Sequence, residues 1–155
     1  MTKTNAARIL DSNGINYDLV AYVVDENDLS ALAVAAKLGQ DVDQVFKTLV
    51  LRGDKSGIFV CIIPGAEELD LKKAASCSGN KSVAMVAVKE INELTGYIRG
   101  GCSPVGMKKK YPTFIDETCT LFETIFVSAG VRGLQLKIIP HDLINITESK
   151  VADLI

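Results

Sequence analysis

Apolar positions recur along the chain with a period that changes from helical to strand-like, and each change marks an element. Ala6, Ile9 and Leu10 repeat at helical spacing over 5–11. Thr4 or Asn5 can cap that helix by accepting a free backbone N–H, and Gly14 ends it. Residues 17–23 read as a strand. Asp28 or Ser30 opens a second helix, with Leu32, Val34, Ala35 and Leu38 expected inside and Gly39 closing it. A short helical turn follows Asp41. Strands are predicted over 47–52 and 58–63, joined by Gly53-Asp54-Lys55-Ser56-Gly57, the clearest hairpin in the chain. A helix over 69–77 precedes Gly79, a short strand covers 82–86, and a helix over 88–94 stops before Gly96. Residues 96–112 are glycine-rich and irregular. Strands are expected over 113–116, 124–128 and 134–139, and helix over 142–146 and the last residues.

Strands and helices are interleaved without βαβ alternation, and short loops between strands favour antiparallel pairing. The expected fold class is α+β: a curled mixed, mainly antiparallel, barrel-like sheet surrounded by helices. No repeat, low-complexity segment or linker interrupts the pattern, so 1–155 is expected to form one domain.

Apolar runs such as 58–64 are too short to span a bilayer. No apolar stretch follows the first residues, so no signal peptide is read and a cytoplasmic location is expected. Cys61, Cys77, Cys102 and Cys119 have no CxxC spacing and are expected as free thiols. A net charge of −2 does not fit a protein that grips long stretches of nucleic acid. A nucleic-acid partner would have to be held locally, by Lys108-Lys109-Lys110 or Lys72-Lys73, unless these are simply solvated lysines.

Lys47 is the first residue with chemistry to explain. It interrupts the apolar run Val45-Phe46-Lys47-Thr48-Leu49-Val50-Leu51. A buried ammonium is costly unless it meets hydrogen-bond partners or an anionic ligand. Two readings stand: Lys47 lies at the strand's start and reaches back to water, or its ammonium sits at a pocket mouth facing an oxygen-rich substrate.

Gly96-Tyr97-Ile98-Arg99-Gly100-Gly101-Cys102-Ser103-Pro104-Val105-Gly106 specifies backbone rather than side chains. Such a loop can expose successive N–H groups to an oxyanion, or it can be an elaborate connection. It matches neither the phosphate loop nor the dinucleotide fingerprint. Ser128-Ala129-Gly130-Val131-Arg132-Gly133 joins two strands and is either a plain turn or a site for carbonyl, ribose or phosphate contacts.

His141 is the only histidine and is expected at a helix cap. No His/Cys/carboxylate cluster suggests a metal, and no cofactor motif is present. Asp25-Glu26, Glu67-Glu68 and Asp116-Glu117 read as solvated or capping pairs. Any reaction should therefore rely on lysine, backbone donors and hydroxyls.

Taken in order, these segments resemble a known family. The matching pieces are Val45 to Leu49, Leu69 to Lys73, Thr95-Gly96-Tyr97, Gly100 to Gly106 with the lysines after it, Pro112 to Asp116, and Ser128 to Leu134. The chain resembles the YbaK/EbsC-like Cys-tRNA(Pro) deacylases, relatives of the editing domain inserted in bacterial prolyl-tRNA synthetases. The resemblance implies hydrolysis of the ester joining an amino acid to the terminal adenosine of tRNA. It puts the family's key lysine on Lys47, its glycine loop on Gly100 to Gly106 and its serine-glycine strand end on Ser128 and Gly130.

On that basis Lys47 would stabilise developing negative charge, and N–H groups of Gly100, Gly101 and Gly130 would complete an oxyanion hole. Thr48 and Ser128 would orient the ester. Tyr22, Arg99, Cys102, Ser103, Lys108, Lys109 and Arg132 would contact the rest of the substrate. The implied partners are the aminoacyl-tRNA acceptor end and a prolyl-tRNA synthetase. Cys102 and Gln135 depart from residues that some members carry, which leaves the acyl group open between cysteine and alanine on tRNA(Pro), and cysteine on tRNA(Cys). Two readings from other classes are a binding module without turnover and a thiol enzyme using Cys102.

Overall fold

The computed structural model describes residues 3–155. The elements are α1 (Asn5–Ser12), β1 (Tyr17–Ala21), α2 (Ala31–Leu38), β2 (Phe46–Gly53), β3 (Gly57–Pro64), α3 (Leu71–Ser78), β4 (Val83–Met85), α4 (Val88–Thr95), β5 (Thr113–Asp116), β6 (Ile125–Ser128), β7 (Leu134–Ile138), α5 (Pro140–Thr147) and β8 (Lys150–Ala152).

The helix starts follow from side-chain caps. Thr4, Ser30 and Asp70 each accept a first-turn N–H of α1, α2 and α3. Gly39, Gly79 and Gly96 end α2, α3 and α4 in the left-handed region. Three local expectations are corrected. Leu32 is exposed, because α2 buries only Val34 and Ala35. His141 caps nothing; it follows Pro140 in the first turn of α5 and lies 3.2 Å from the Asn145 amide. The last residues form strand β8 rather than helix. Asp116 Oδ1 accepts from Leu154 N–H, and Leu154 C=O accepts from Asp70 N–H, each at 2.8 Å, which holds the chain extended beyond β8.

The strands form two sheets, one ordered β1-β7-β6 and the other β4-β2-β3-β5-β8. Four of the six ladders are antiparallel, so the fold is α+β with mixed, mainly antiparallel pairing. The expected barrel-like curl does not occur. Among the described residues the two sheets are joined only by a parallel bridge between Val45 and Phe126, so no continuous ladder closes on itself.

The apolar run of β3 is explained by burial on both faces. Val60 and Ile62 join Val127, Leu136 and Ile138 in the core between the sheets, with Ala6 and Leu10 of α1 and Leu143 of α5. Phe59, Cys61 and Ile63 face the other way, against Ala74 of α3, Phe114 and Leu154. A third cluster packs Val34 and Ala35 of α2 on Val45 and Phe126. This cluster sits where the two sheets meet, beside the first half of β2. The β4 ladder covers only Leu51 to Gly53, and that leaves an opening next to Lys47 and Thr48.

Candidate active site

A cavity of about 440 Å³ fills that opening. Its floor is β2 from Phe46 to Val50; one wall is Leu29, Ser30, Ala31 and Val34 around the start of α2. Ser128 and Gln135 close its inner end. They stand directly opposite each other on β6 and β7, on the same face as Phe126 and Lys137. Met85, Val86, Val88 and Ile91 form an apolar outer wall, and Arg99, Gly100 and Cys102 form the rim. Gly65 permits the close approach of α2: a Cβ there would overlap Ala31 and lie 2.8 Å from the Val45 carbonyl.

Lys47 is half-buried, shares a face of β2 with Leu49 and Leu51, and lines the cavity. It belongs to none of the five ion pairs among the described residues. Burial pushes its pKa below the usual lysine value, against the opposing charges of Glu68 and Glu67. The ammonium is thus neither freely solvated nor neutralised by a partner.

Thr48 and Gln135 supply two polar atoms with unmet capacity. Thr48 Oγ1 and Gln135 Oε1 are buried and have no hydrogen-bond partner among the described residues. Gln135 is only 5% exposed, between Leu134 and Leu136. Ser128 Oγ accepts from Gly130 N–H at 3.1 Å, which leaves its own proton free to donate.

The backbone donors differ from expectation. Gly130 N–H is engaged by Ser128, and Gly101 N–H donates to Ile98 C=O at 2.9 Å. Gly100 N–H and Cys102 N–H have no acceptor among the described residues, and both residues line the cavity. Gly100 has φ +83, where a Cβ would be strained and would meet Arg132 Nε at 3.2 Å.

The remaining predicted residues lie around the cavity rather than in it. Tyr22 packs against the cluster of Val34, Ala35, Val45 and Phe126. Ser103 is buried and accepts from Val105 N–H. Arg132 donates to the Arg99 carbonyl and pairs with Glu26. Lys108 Nζ donates to Glu93 C=O, while Lys109 lines a separate cavity of about 210 Å³ beside Val105 and Tyr111. Burial pushes the Cys102 thiol up to about 11, with the Thr95 hydroxyl opposing. Among the described residues, no three His, Cys, Asp or Glu side chains gather as metal ligands.

Leu29, Val34, Met85, Val88 and Ile91 were not anticipated as cavity residues. Their apolar character reads as ordinary packing in the sequence. Gln135 had a usable signal, the same one that marks Lys47: a polar residue within a strand otherwise committed to burial.

The aminoacyl-tRNA editing domain model matches residues 25–146. A candidate Cys-tRNA(Pro)/Cys-tRNA(Cys) deacylase, EbsC of Enterococcus faecalis, is 45% identical over 152 residues, spanning 98% of this chain and 93% of that protein. The proline–tRNA ligase of Fervidobacterium nodosum is 33% identical over 86 residues, which are 56% of this chain and 15% of that enzyme. A crystal structure described as a candidate trans-editing enzyme for prolyl tRNA synthetase superposes with a TM-score of 0.84 at 28% identity, covering 99% of this chain and 98% of that one. No helix among the described residues is long and apolar enough to cross a membrane. With the editing model spanning residues 25–146 and EbsC matched almost end to end, the chain belongs to the aminoacyl-tRNA editing domain family.

Proposed function

We propose that this protein is a trans-editing aminoacyl-tRNA deacylase that hydrolyses the ester of mischarged Cys-tRNA(Pro). One observation carries the reading. A cavity of about 440 Å³ is lined by Lys47, whose ammonium is unpaired among the described residues, and by Thr48 and Gln135, whose buried Oγ1 and Oε1 lack partners. An ester with a free α-amino group supplies both kinds of complement, oxygens for the cation and donors for the two oxygens.

In the reaction a nucleophile adds to the ester carbonyl, the acyl–oxygen bond breaks, and the ribose oxygen leaves with a proton. Lys47 and the free N–H groups of Gly100 and Cys102 stabilise the negative charge that develops on the carbonyl oxygen. The lowered Lys47 pKa also makes its ammonium a better proton donor to the departing ribose oxygen. Ser128 and Thr48 orient the ester. Since no histidine or carboxylate among the described residues lines the cavity, the nucleophile is water or a group of the substrate itself, and proximity supplies much of the rate. A substrate thiol acting in this way closes a thiolactone as the protonated ribose oxygen leaves, water then opens it to the free amino acid, and cysteine is favoured over alanine and proline.

The family likeness to editing domains of proline–tRNA ligases supports tRNA(Pro) as the carrier and a prolyl-tRNA synthetase as partner. The test compares turnover of Cys-, Ala- and Pro-tRNA(Pro) by the purified protein. Preference for the cysteinyl ester by tenfold or more is expected. Equal turnover of all three would remove cysteine as the defining substrate.

A further inference from the structure

Arg132 occupies the turn between β6 and β7, flanked by Gly130 at φ +108 and Gly133 at φ +89. Its Nε donates to the Arg99 carbonyl at 2.8 Å, and its Nη1 pairs with Glu26 Oε2 at 2.7 Å. The fixed fork of a guanidinium meets both at once. Three chain segments converge there. A Cβ built on Gly100 would stand 3.2 Å from Arg132 Nε and 3.3 Å from Leu29 Cδ1, and one on Gly101 would stand 3.1 Å from Arg132 N. Leu29 and Gly100 line the cavity, while Arg132 does not.

The carbonyl that Arg132 holds belongs to the same peptide unit as Gly100 N–H. A trans peptide is planar, with C=O and N–H on opposite edges. Fixing the Arg99 oxygen toward the guanidinium therefore turns Gly100 N–H to the other side. A charged donor on the carbonyl also polarises the peptide and strengthens its N–H as a donor. Gly100 N–H, like those of Arg99 and Cys102, belongs to a cavity-lining residue and has no acceptor among the described residues.

We propose that Arg132 is a positioning residue, which aims and polarises the Gly100 N–H of the oxyanion hole through the Arg99 carbonyl without touching substrate. The assignment rests on the deacylase reading for its kinetic consequence but not for its geometry. Glu26 orients the guanidinium from an exposed surface, where an ion pair contributes little.

The test uses the full chain with Arg132→Gln, Arg132→Lys and Glu26→Gln, on Cys-tRNA(Pro) in single and multiple turnover. Arg132→Gln is expected to lower kcat roughly 10- to 100-fold, with KM unchanged. Arg132→Lys recovers part of the loss, because an ammonium can reach one acceptor but not both; it also serves if the glutamine variant does not fold. Glu26→Gln keeps kcat within about threefold of wild type. Independently of activity, the Gly100 amide resonance and its proton exchange, followed by NMR on the free protein, shift in Arg132→Gln. Unchanged kcat in the folded arginine variants, a loss confined to KM, or a Glu26→Gln loss equal to that of Arg132→Gln overturns the assignment. If wild type turns over no aminoacyl ester, the deacylase reading fails, and an unmoved Gly100 amide then overturns the positioning role on its own.

Discussion

Thr48 Oγ1 and Gln135 Oε1 line one cavity from two different sheets, and neither has a hydrogen-bond partner among the described residues. An unpaired buried polar group costs about 1–3 kcal/mol. Two such groups facing the same space are explained when a ligand completes them.

Thr48→Val tests that explanation, because it removes an unpaired hydroxyl and leaves no partner behind. Thermal stability is expected to stay within ~1 kcal/mol of wild type or to rise. The kcat/KM for the aminoacyl ester is expected to fall about tenfold, the value of one hydrogen bond. A stable variant with undiminished kcat/KM would separate Thr48 from substrate.

The protonation of Lys47 makes both stability and rate depend on pH. Burial lowers its pKa, and Glu68 and Glu67 oppose the shift only in part. The folded chain therefore releases this proton at a lower pH than the unfolded chain, where lysine titrates near 10.5. Below the folded-state value the buried ammonium is fully destabilising. That penalty is relieved as pH rises from the folded-state value to 10.5. Lys47→Met should melt at a higher temperature than wild type at pH 7, with the gap closing toward pH 10.5. After subtraction of uncatalysed hydrolysis, kcat/KM of wild type should show an alkaline limb centred below 10.5. A rate that stays flat through pH 10.5 and above would mean the ammonium is not the reactive form.

Cys102 is predicted to be a packing residue of the cavity rim. With its thiol pushed up to about 11, roughly one part in a thousand is thiolate at pH 8. Iodoacetamide should label it slowly in the folded protein and rapidly after unfolding. Cys102→Ser should keep deacylation within about fivefold of wild type, since one half-buried small side chain is exchanged for another of similar size. Abolished turnover would revive the thiol-enzyme reading.

Electrostatic contact with tRNA should be slight. Lys108 donates to the Glu93 carbonyl and Lys110 pairs with Glu148, which leaves Arg99 and Lys109 as the side-chain cations of this region without a partner among the described residues. Neutralising two phosphates predicts a plot of log affinity against log salt with a slope near −2. Lys109→Ala should flatten it by about one. A slope of −5 or steeper would require a tRNA-binding face elsewhere.

The hairpin of β2 and β3 and the caps of α1 and α2 were legible because each depends on residues close in sequence, Thr4 and Ser30 with the glycines after them, whereas Asp70 was read as part of α3 rather than as its cap. Lys47 was legible because a charge in an apolar strand needs a reason. The parallel pairing of β3 with β5 and of β5 with β8 was not, since it joins segments far apart in sequence and leaves no turn signature. Strand β8 is three residues long and is fixed by Asp116 and Asp70, whose sequence neighbourhoods say nothing about the chain's end. In the site, the glycine loop announced exposed N–H groups but not which were spent internally. That required seeing Ile98 and Ser128 accept from Gly101 and Gly130.

The most direct measurement is the single-turnover rate of Lys47→Ala against wild type on Cys-tRNA(Pro), with folding of both checked by circular dichroism. Loss of the charge that faces the developing oxyanion should slow deacylation about 100- to 1,000-fold, the usual effect of deleting such a donor. A folded Lys47→Ala protein that deacylates within a few-fold of wild type would contradict the account.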